Sequence, residues 1–389
     1  MKSSKIYTTQ FWLVCLSSLL FFASFNMLIP ELPDYLTSLG GGEYKGLIIA
    51  LFTVTALLSR PFSGKLADSI GRVPVMLFGA AVCLVSSLIY PLLTTVSGFM
   101  MLRLVHGFST GFTPTGQAAF LGDIVPAHKR GEAMGLLGTA GTVGMASGPA
   151  LGGALANLFS LNVVFYTSSL FGLLSMIILL NIKETQGGRK QFSIDSVKIQ
   201  RHDLFEPLVV VPCIIMFLYA YSYGTIFTLL PDLGAYVGIR NKGVLFTFLT
   251  VASLLVRLVA GKASDRYGRV PVLKISTFLL VLSLLIIGLG NTPWHIMLGV
   301  TIYGVGQGMT SPTLLAWATD LSDQNFKGRG ISSLYIFMEA GIGIGAFASG
   351  WIYGNDTDQF FLTFLISTLL SLVAFLYLMF GKRPVPASL

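Results

Sequence analysis

The chain is 389 residues long, 53% hydrophobic and only 11% charged, with a mean hydropathy of +0.77. So little polar surface cannot cover a chain of this size in water, which excludes a soluble protein and makes a bilayer the natural solvent. The net charge of +8 is spread over short loops between apolar runs, so it reports membrane topology rather than a nucleic-acid surface.

Lys2 and Lys5 precede the first apolar run, but no small-residue cleavage pattern follows before Pro30 and Pro33, so the run reads as a membrane helix and not a signal peptide. A helix needs about 20 apolar residues to cross a core about 30 Å thick. Runs of that kind fall near 11–33, 44–64, 73–94, 97–122, 130–158 and 161–182, and again near 207–231, 241–261, 271–290, 293–319, 329–353 and 359–380. Between the two sets lies a polar stretch, 183–206, carrying Lys183, Arg189, Lys190, Lys198 and Arg201. The expectation is an all-α membrane protein of 12 transmembrane helices in two pseudo-symmetric six-helix bundles, residues 1–182 and 207–389, joined by the linker 183–206. With the N-terminus inside, nineteen of the 25 cations fall on the cytoplasmic side, Lys45, Arg240 and Lys242 fall outside, and Arg60, Arg103 and Arg257 fall within helices. That bias places both termini and the linker in the cytoplasm, as expected of a multi-pass protein of the bacterial inner membrane. Cys15, Cys83 and Cys213 lie in separate apolar spans without CxxC spacing, so neither disulfides nor a zinc site is expected.

The halves share sequence as well as hydropathy. GKLADSIGRVPV, 64–75, returns 197 positions later as GKASDRYGRVPV, 261–272. In each copy a glycine is read as ending a helix, and an acid stands four residues before an arginine: Asp68 with Arg72, Asp265 with Arg269. Carboxylates aimed at a neighbouring helix terminus form a charge-assisted latch. Gly107, Gly111, Ala119 and Asp123 of the fourth span align at the same offset with Gly304, Gly308, Ala316 and Asp320 of the tenth. Internal symmetry of this kind marks transporters, and what the halves do not share points to asymmetric function.

Both loops resemble the signature loop of the major facilitator superfamily, G-x-L-x-D-x-x-G-R, with Ala263 replacing Leu in the second copy. The resemblance extends to the six-plus-six layout. It implies a gate latch at Asp68, Arg72, Asp265 and Arg269, with Asp123 and Asp320 completing a charge relay. The fifth span carries GMASGPALGG, in which Gly148 and Gly152 make a small-x-x-x-small face and Pro149 removes a backbone donor. The string Gly144, Gly148, Pro149, Gly152, Gly153 resembles the antiporter motif of the drug:proton antiporter branch. The eleventh span, GIGIGAFASG, lacks the Gly-Pro pair, and that asymmetry implies export.

Among the embedded polar residues, Glu339 is the deepest acid. Nine steps from Gly330 place it roughly 14 Å into the membrane, where a carboxylate must be paired or protonated, so it is the expected proton carrier. Arg103 and His106 resemble the family pattern R-x-x-Q-G with His in place of Gln, and complete the expected proton-coupling set. An imidazole changes charge near neutrality. Tyr219 and Tyr223, four residues apart on one helix face, together with Asn26, Gln307 and Tyr335, are the expected substrate-binding groups, since aromatic walls with few polar handles suit an amphipathic solute. Asn26 stands where some drug antiporters carry an acid. Glu31, Asp34 and Asp232, beside prolines at the outer ends of the first and seventh spans, are the expected outer gate.

Catalysis has no support: there is no HExxH, no Ser/His/Asp cluster and no P-loop. The chain reads as a secondary active transporter, a proton-coupled exporter of a small amphipathic organic solute or drug. Its expected partners are solute, protons and membrane lipids, with no nucleic acid, cofactor or metal, and a monomer suffices. A sugar, metabolite, siderophore or metallophore carrier is the alternative, and a membrane sensor a more distant one.

Overall fold

The computed structural model describes residues 7–29, 31–41, 44, 47–185, 198, 205–239, 243–354 and 356–381, except the side chains of Pro33, Asp34, Asn157, Pro231, Ala235, Gly243 and Leu258. Most of the segment 183–206 and Pro30 therefore lie outside the described residues. The rest is helical: α1 (Thr9–Asn26), α2 (Leu32–Ser38), α3 (Leu47–Ser69), α4 (Arg72–Ile89), α5 (Val96–Ile124), α6 (Arg130–Leu158), α7 (Leu161–Leu180), α8 (Val210–Tyr236), α9 (Gly243–Tyr267), α10 (Arg269–Leu289), α11 (Pro293–Leu321), α12 (Lys327–Tyr353) and α13 (Phe360–Phe380). Eight of these are long and apolar enough to cross a membrane, nine counting α9 across its 44° bend. The other long helices, α5, α6 and α11, have 29 residues each. Their many Gly, Ser and Thr residues lower hydropathy and serve close helix packing instead.

Contacts divide the chain into two units. One comprises Met1–Pro126, Leu137–Glu206 and Gln324–Ser333; the other comprises Ala127–Leu136, Pro207–Asp323 and Leu334–Leu389. In the first, serines bridge helices where no water reaches: Ser17 and Ser175 lie 2.8 Å apart, and Ser24 donates to the Ser168 carbonyl at 2.7 Å. Thr225 with Ser367 and Thr310 with Ser276 do the same in the second, at 2.9 and 2.8 Å. Thr95 and Thr292, 197 residues apart, each cap a helix, accepting the N–H of Gly98 and His295. Large apolar side chains such as Leu92, Trp294 and Phe380 remain exposed, as suits a surface in lipid.

The repeated motif behaves differently from its reading as a loop opened by glycine. Gly64 and Gly261 do not end their helices; α3 runs on to Ser69 and α9 to Tyr267. No residue between them and the second glycine of the motif breaks a helix, so the chain turns at Gly71 and Gly268, with φ of +117° and +91°, where only glycine is unstrained. The motif acids thus stand on helices. Gly64 and Gly261 serve close approach: a Cβ would lie 2.6 Å from Ser332 Cβ in one case and 2.5 Å from the Gly131 carbonyl in the other.

Candidate functional site

In the first unit, the Asp68 carboxylate accepts the backbone N–H groups of Gly328 and Arg329 at 2.7 and 2.8 Å. It thereby caps α12, whose unpaired N–H groups and dipole favour an anion. Arg72 pairs with Asp68 through Nη1 and with Asp123 through Nε, the latter at 3.1 Å. Lys327 supplies a second cation to Asp123 at 3.1 Å. The second unit repeats the design. Asp265 accepts the N–H groups of Gly131 and Glu132, both at 2.8 Å, and so caps α6. Arg269 joins Asp265 at 2.5 Å to Asp320 at 2.9 Å, and Arg130 reaches Asp320 at 3.0 Å. All six acids and arginines expected in the latch therefore fall into two matching networks.

Glycines set the packing of α6. A Cβ on Gly144, Gly148 or Gly152 would lie 2.3, 2.8 and 2.1 Å from the carbonyls of Leu19, Ala23 and Met27, so these three carry the backbone of α6 onto α1. Gly153 faces away: its nearest neighbour would be Glu31 Oε1 at 3.9 Å. Pro149 lies inside α6 without ending it. On α12, a Cβ added at Gly341 or Gly345 would lie 2.6 or 2.2 Å from the carbonyls of Phe217 and Tyr221 on α8.

Arg103 and His106 form one buried cluster with Tyr90. Arg103 donates from Nε to the Ile48 carbonyl at 2.8 Å and from Nη1 to the Tyr90 hydroxyl at 3.1 Å, and its guanidinium lies over the Phe52 ring. The same hydroxyl lies 3.3 Å from His106 Nδ1. No carboxylate pairs with Arg103 among the described residues.

Glu339 occupies the middle of α12, a helix of 27 residues, and is partly buried. Tyr335 stands one turn before it. Tyr219, Tyr223 and Tyr335 converge electrostatically on Arg257 of α9, with Gln307 of α11 against the hydroxyls of Tyr219 and Tyr223. Four of the five expected substrate groups are thereby gathered in the second unit. Asn26 is in the first, where its amide donates to the Phe22 carbonyl of its own helix at 2.7 Å. Glu31 is partly buried beside Gly153, Asp232 is exposed, and the side chain of Asp34 lies outside the described residues.

Sequence reasoning missed several polar groups here. Glu184 accepts the N–H groups of Arg72 and Val73 at 3.0 and 2.9 Å, capping α4. Glu206, only 3% exposed, receives Arg329 Nε at 2.8 Å. Both are single acids at the two ends of the segment 183–206, without repeat or periodicity to mark them. Arg130 and Lys327 did carry a signal, being 197 positions apart like the acids they serve. Arg257 had been noted only as an embedded cation. No group of three or more His, Cys, Asp or Glu able to hold a metal occurs among the described residues.

The sequence profile of the Major Facilitator Superfamily matches residues 14–237 and 212–389. The chain is 27% identical over 346 residues to the multi-drug resistance efflux pump PmrA of Streptococcus pneumoniae, covering 86% of each protein. It is 29% identical over 339 residues to the multidrug resistance protein MdtG of Enterobacter lignolyticus, covering 82% of this chain and 79% of that one. Among solved structures, the human organic anion transporter MFSD10 superposes with a TM-score of 0.83 at 20% identity, over 95% of this chain and 98% of the other.

Proposed function

The chain belongs to the Major Facilitator Superfamily, and from that premise we propose that this transporter is a proton-coupled exporter of small amphipathic organic solutes. The two six-helix bundles, residues 1–182 and 207–389, alternate access from a plasma membrane, with both termini and the linker 183–206 in the cytoplasm. The observation that carries the reading is Glu339, the sole carboxylate of α12 and central in its length. An acid at that depth is expensive unless its charge is used. Tyr335, one turn away on the same helix, links the proton to the phenol-lined solute site. The efflux names of PmrA and MdtG and the Gly144–Gly153 string favour export over uptake. The Asp68 and Asp265 caps are the contacts expected to break and re-form in each cycle.

The experiment is proton flux from purified protein in sealed liposomes on addition of amphipathic solutes across a pH gradient. Solute-triggered flux in the wild type, lost in Glu339→Gln while the protein remains folded and in the membrane, is the expected result. Undiminished driven flux in Glu339→Gln removes the proton carrier. Saturable uptake unaffected by pH would instead favour a metabolite carrier.

A further inference from the structure

Arg257 on α9 and Arg60 on α3 occupy equivalent positions, 197 residues apart, yet have different surroundings. Arg60 Nη1 donates to Thr115 Oγ1 at 3.1 Å, and Ser63 donates to the same hydroxyl at 3.3 Å. At the same offset, Thr115 becomes Pro312 and Ser63 becomes Ala260. The second repeat therefore keeps the cation and lacks the Thr115 hydroxyl that accepts from it in the first. The side chain of Arg257 makes a single hydrogen bond among the described residues, Nε to Ser253 Oγ one turn back at 3.3 Å, and no carboxylate pairs with it. It is 8% exposed.

A guanidinium cannot shed its charge by deprotonation, and a buried charge without a counter-ion is strongly unfavourable. Three phenols, Tyr219, Tyr223 and Tyr335, lie within electrostatic reach of Arg257, and as phenols they bring no negative charge. A second, independent atom in the same place is unsatisfied: Gln307 is 9% exposed, and its Oε1 has no hydrogen-bond partner. A charge and an amide oxygen left open beside an aromatic wall describe a site completed by something outside the protein.

Building on the reading of this cluster as the solute site, we infer that Arg257 is the counter-charge for an anionic head group, so that the solutes carried are amphipathic organic anions: carboxylates, sulfonates or phosphonates with an apolar body. The terminal nitrogens of Arg257 form a fork suited to two oxygens of such a group. The hydroxyls of Tyr219 and Tyr223 donate to the same oxygens, and the open Gln307 Oε1 accepts from a hydrogen-bond donor elsewhere on the solute. The tyrosine rings cover its apolar part.

The test compares two probes that differ by one sulfonate, 1-anilinonaphthalene-8-sulfonate and N-phenyl-1-naphthylamine. Binding is measured to the full-length protein in phosphatidylcholine nanodiscs, with empty discs subtracted. The wild type is expected to bind the sulfonate at least about tenfold more tightly, as befits a charge-assisted bond. Arg257→Gln should abolish that preference without weakening the neutral probe. Arg257→Lys should retain part of it, and Tyr219→Phe, which keeps the ring, should weaken only the sulfonate, by about threefold to tenfold. Equal binding of the two probes by the wild type overturns the inference. So does an equal loss of both probes in Tyr219→Phe and Arg257→Lys proteins that elute and melt like the wild type. Repeating the titration with one-third phosphatidylglycerol in the disc separates solute from lipid: competitive loss of sulfonate binding there would assign Arg257 to a lipid head group and overturn the solute. Equilibrium binding uses no proton gradient, so a failure of Glu339→Gln to alter flux leaves this result standing, and the reverse also holds.

Discussion

The carboxylate of Asp68 receives the backbone N–H of Arg329 at 2.8 Å, so an acid at the end of α3 serves as the cap that the first turn of α12 lacks in its own sequence. Asp265 does the same for Glu132 on α6, also at 2.8 Å. A carboxylate on two helix N–H groups gains from both charge-assisted hydrogen bonds and the helix dipole. Asn in its place keeps one acceptor and loses the charge. Asp68→Asn and Asp265→Asn should each lower stability by about 1–2 kcal/mol, read from thermal unfolding of purified protein. Because the two caps have matching geometry, the two losses should agree within about 0.5 kcal/mol. A loss confined to one of them would show that only one cap bears on stability.

Neighbouring glycines in α6 should respond in opposite ways to one methyl group. At Gly152 an added Cβ would lie 2.1 Å from the Met27 carbonyl, and a backbone atom cannot swing aside. Gly152→Ala must push α6 off α1, at a cost of about 1–3 kcal/mol or more. At Gly153 the nearest atom would be 3.9 Å away. Gly153→Ala should be neutral, or stabilising by up to about 1 kcal/mol through helix propensity. Melting temperatures of the two variants side by side decide the matter. Equal melting would mean that the motif does not act through close packing.

Much of this was legible because duplication writes a pattern twice. The acids Asp68 and Asp265, the arginines Arg72 and Arg269, and the helix-end acids Asp123 and Asp320 could be paired by offset alone. The spans followed from apolar length, though α3 and α9 extend past Gly64 and Gly261, because a glycine permits a helix end without imposing one. What escaped was whatever occurs once. Glu184 and Glu206 are isolated acids whose partners are distant in sequence. Arg257 stands 197 positions after Arg60, and the difference between them lies in neighbours on another helix, where Thr115 gives way to Pro312. A cation's environment is a tertiary property that no local pattern records.

Tyr90 is the hinge of the Arg103 cluster. Its hydroxyl receives Arg103 Nη1 at 3.1 Å and lies 3.3 Å from His106 Nδ1, so Tyr90→Phe leaves two buried groups short of a partner at once. The expected cost is about 1–3 kcal/mol. His106→Gln keeps a hydrogen-bonding group toward Tyr90 and should cost less than half as much. If His106 serves only in this network, His106→Gln should also leave the pH profile of transport unchanged, whereas a shifted profile would make the imidazole a proton carrier alongside Glu339. Thermal unfolding and liposome flux at several pH values check both statements.

Glu184 tests whether the segment after α7 is a passive tether. Its two oxygens accept the N–H groups of Arg72 and Val73 at the start of α4, and a Cβ on Gly71 would collide with its carboxylate. Thr185 beside it donates to Asp123 Oδ2 at 2.9 Å. The segment after α7 therefore caps α4 and contacts the Arg72–Asp123 pair, and the equivalent position of the second repeat, Gly381, 197 positions after Glu184, has no side chain to do the same. Glu184→Ala should open the N-terminus of α4 and lower stability by about 1–2 kcal/mol. Glu184→Gln, which keeps an acceptor without the charge, should recover part of it. Hydrogen exchange at the Arg72 and Val73 amides supplies the local readout: faster exchange there in Glu184→Ala, with α10 unaffected, is expected, and unchanged protection would mean that the cap contributes nothing in solution.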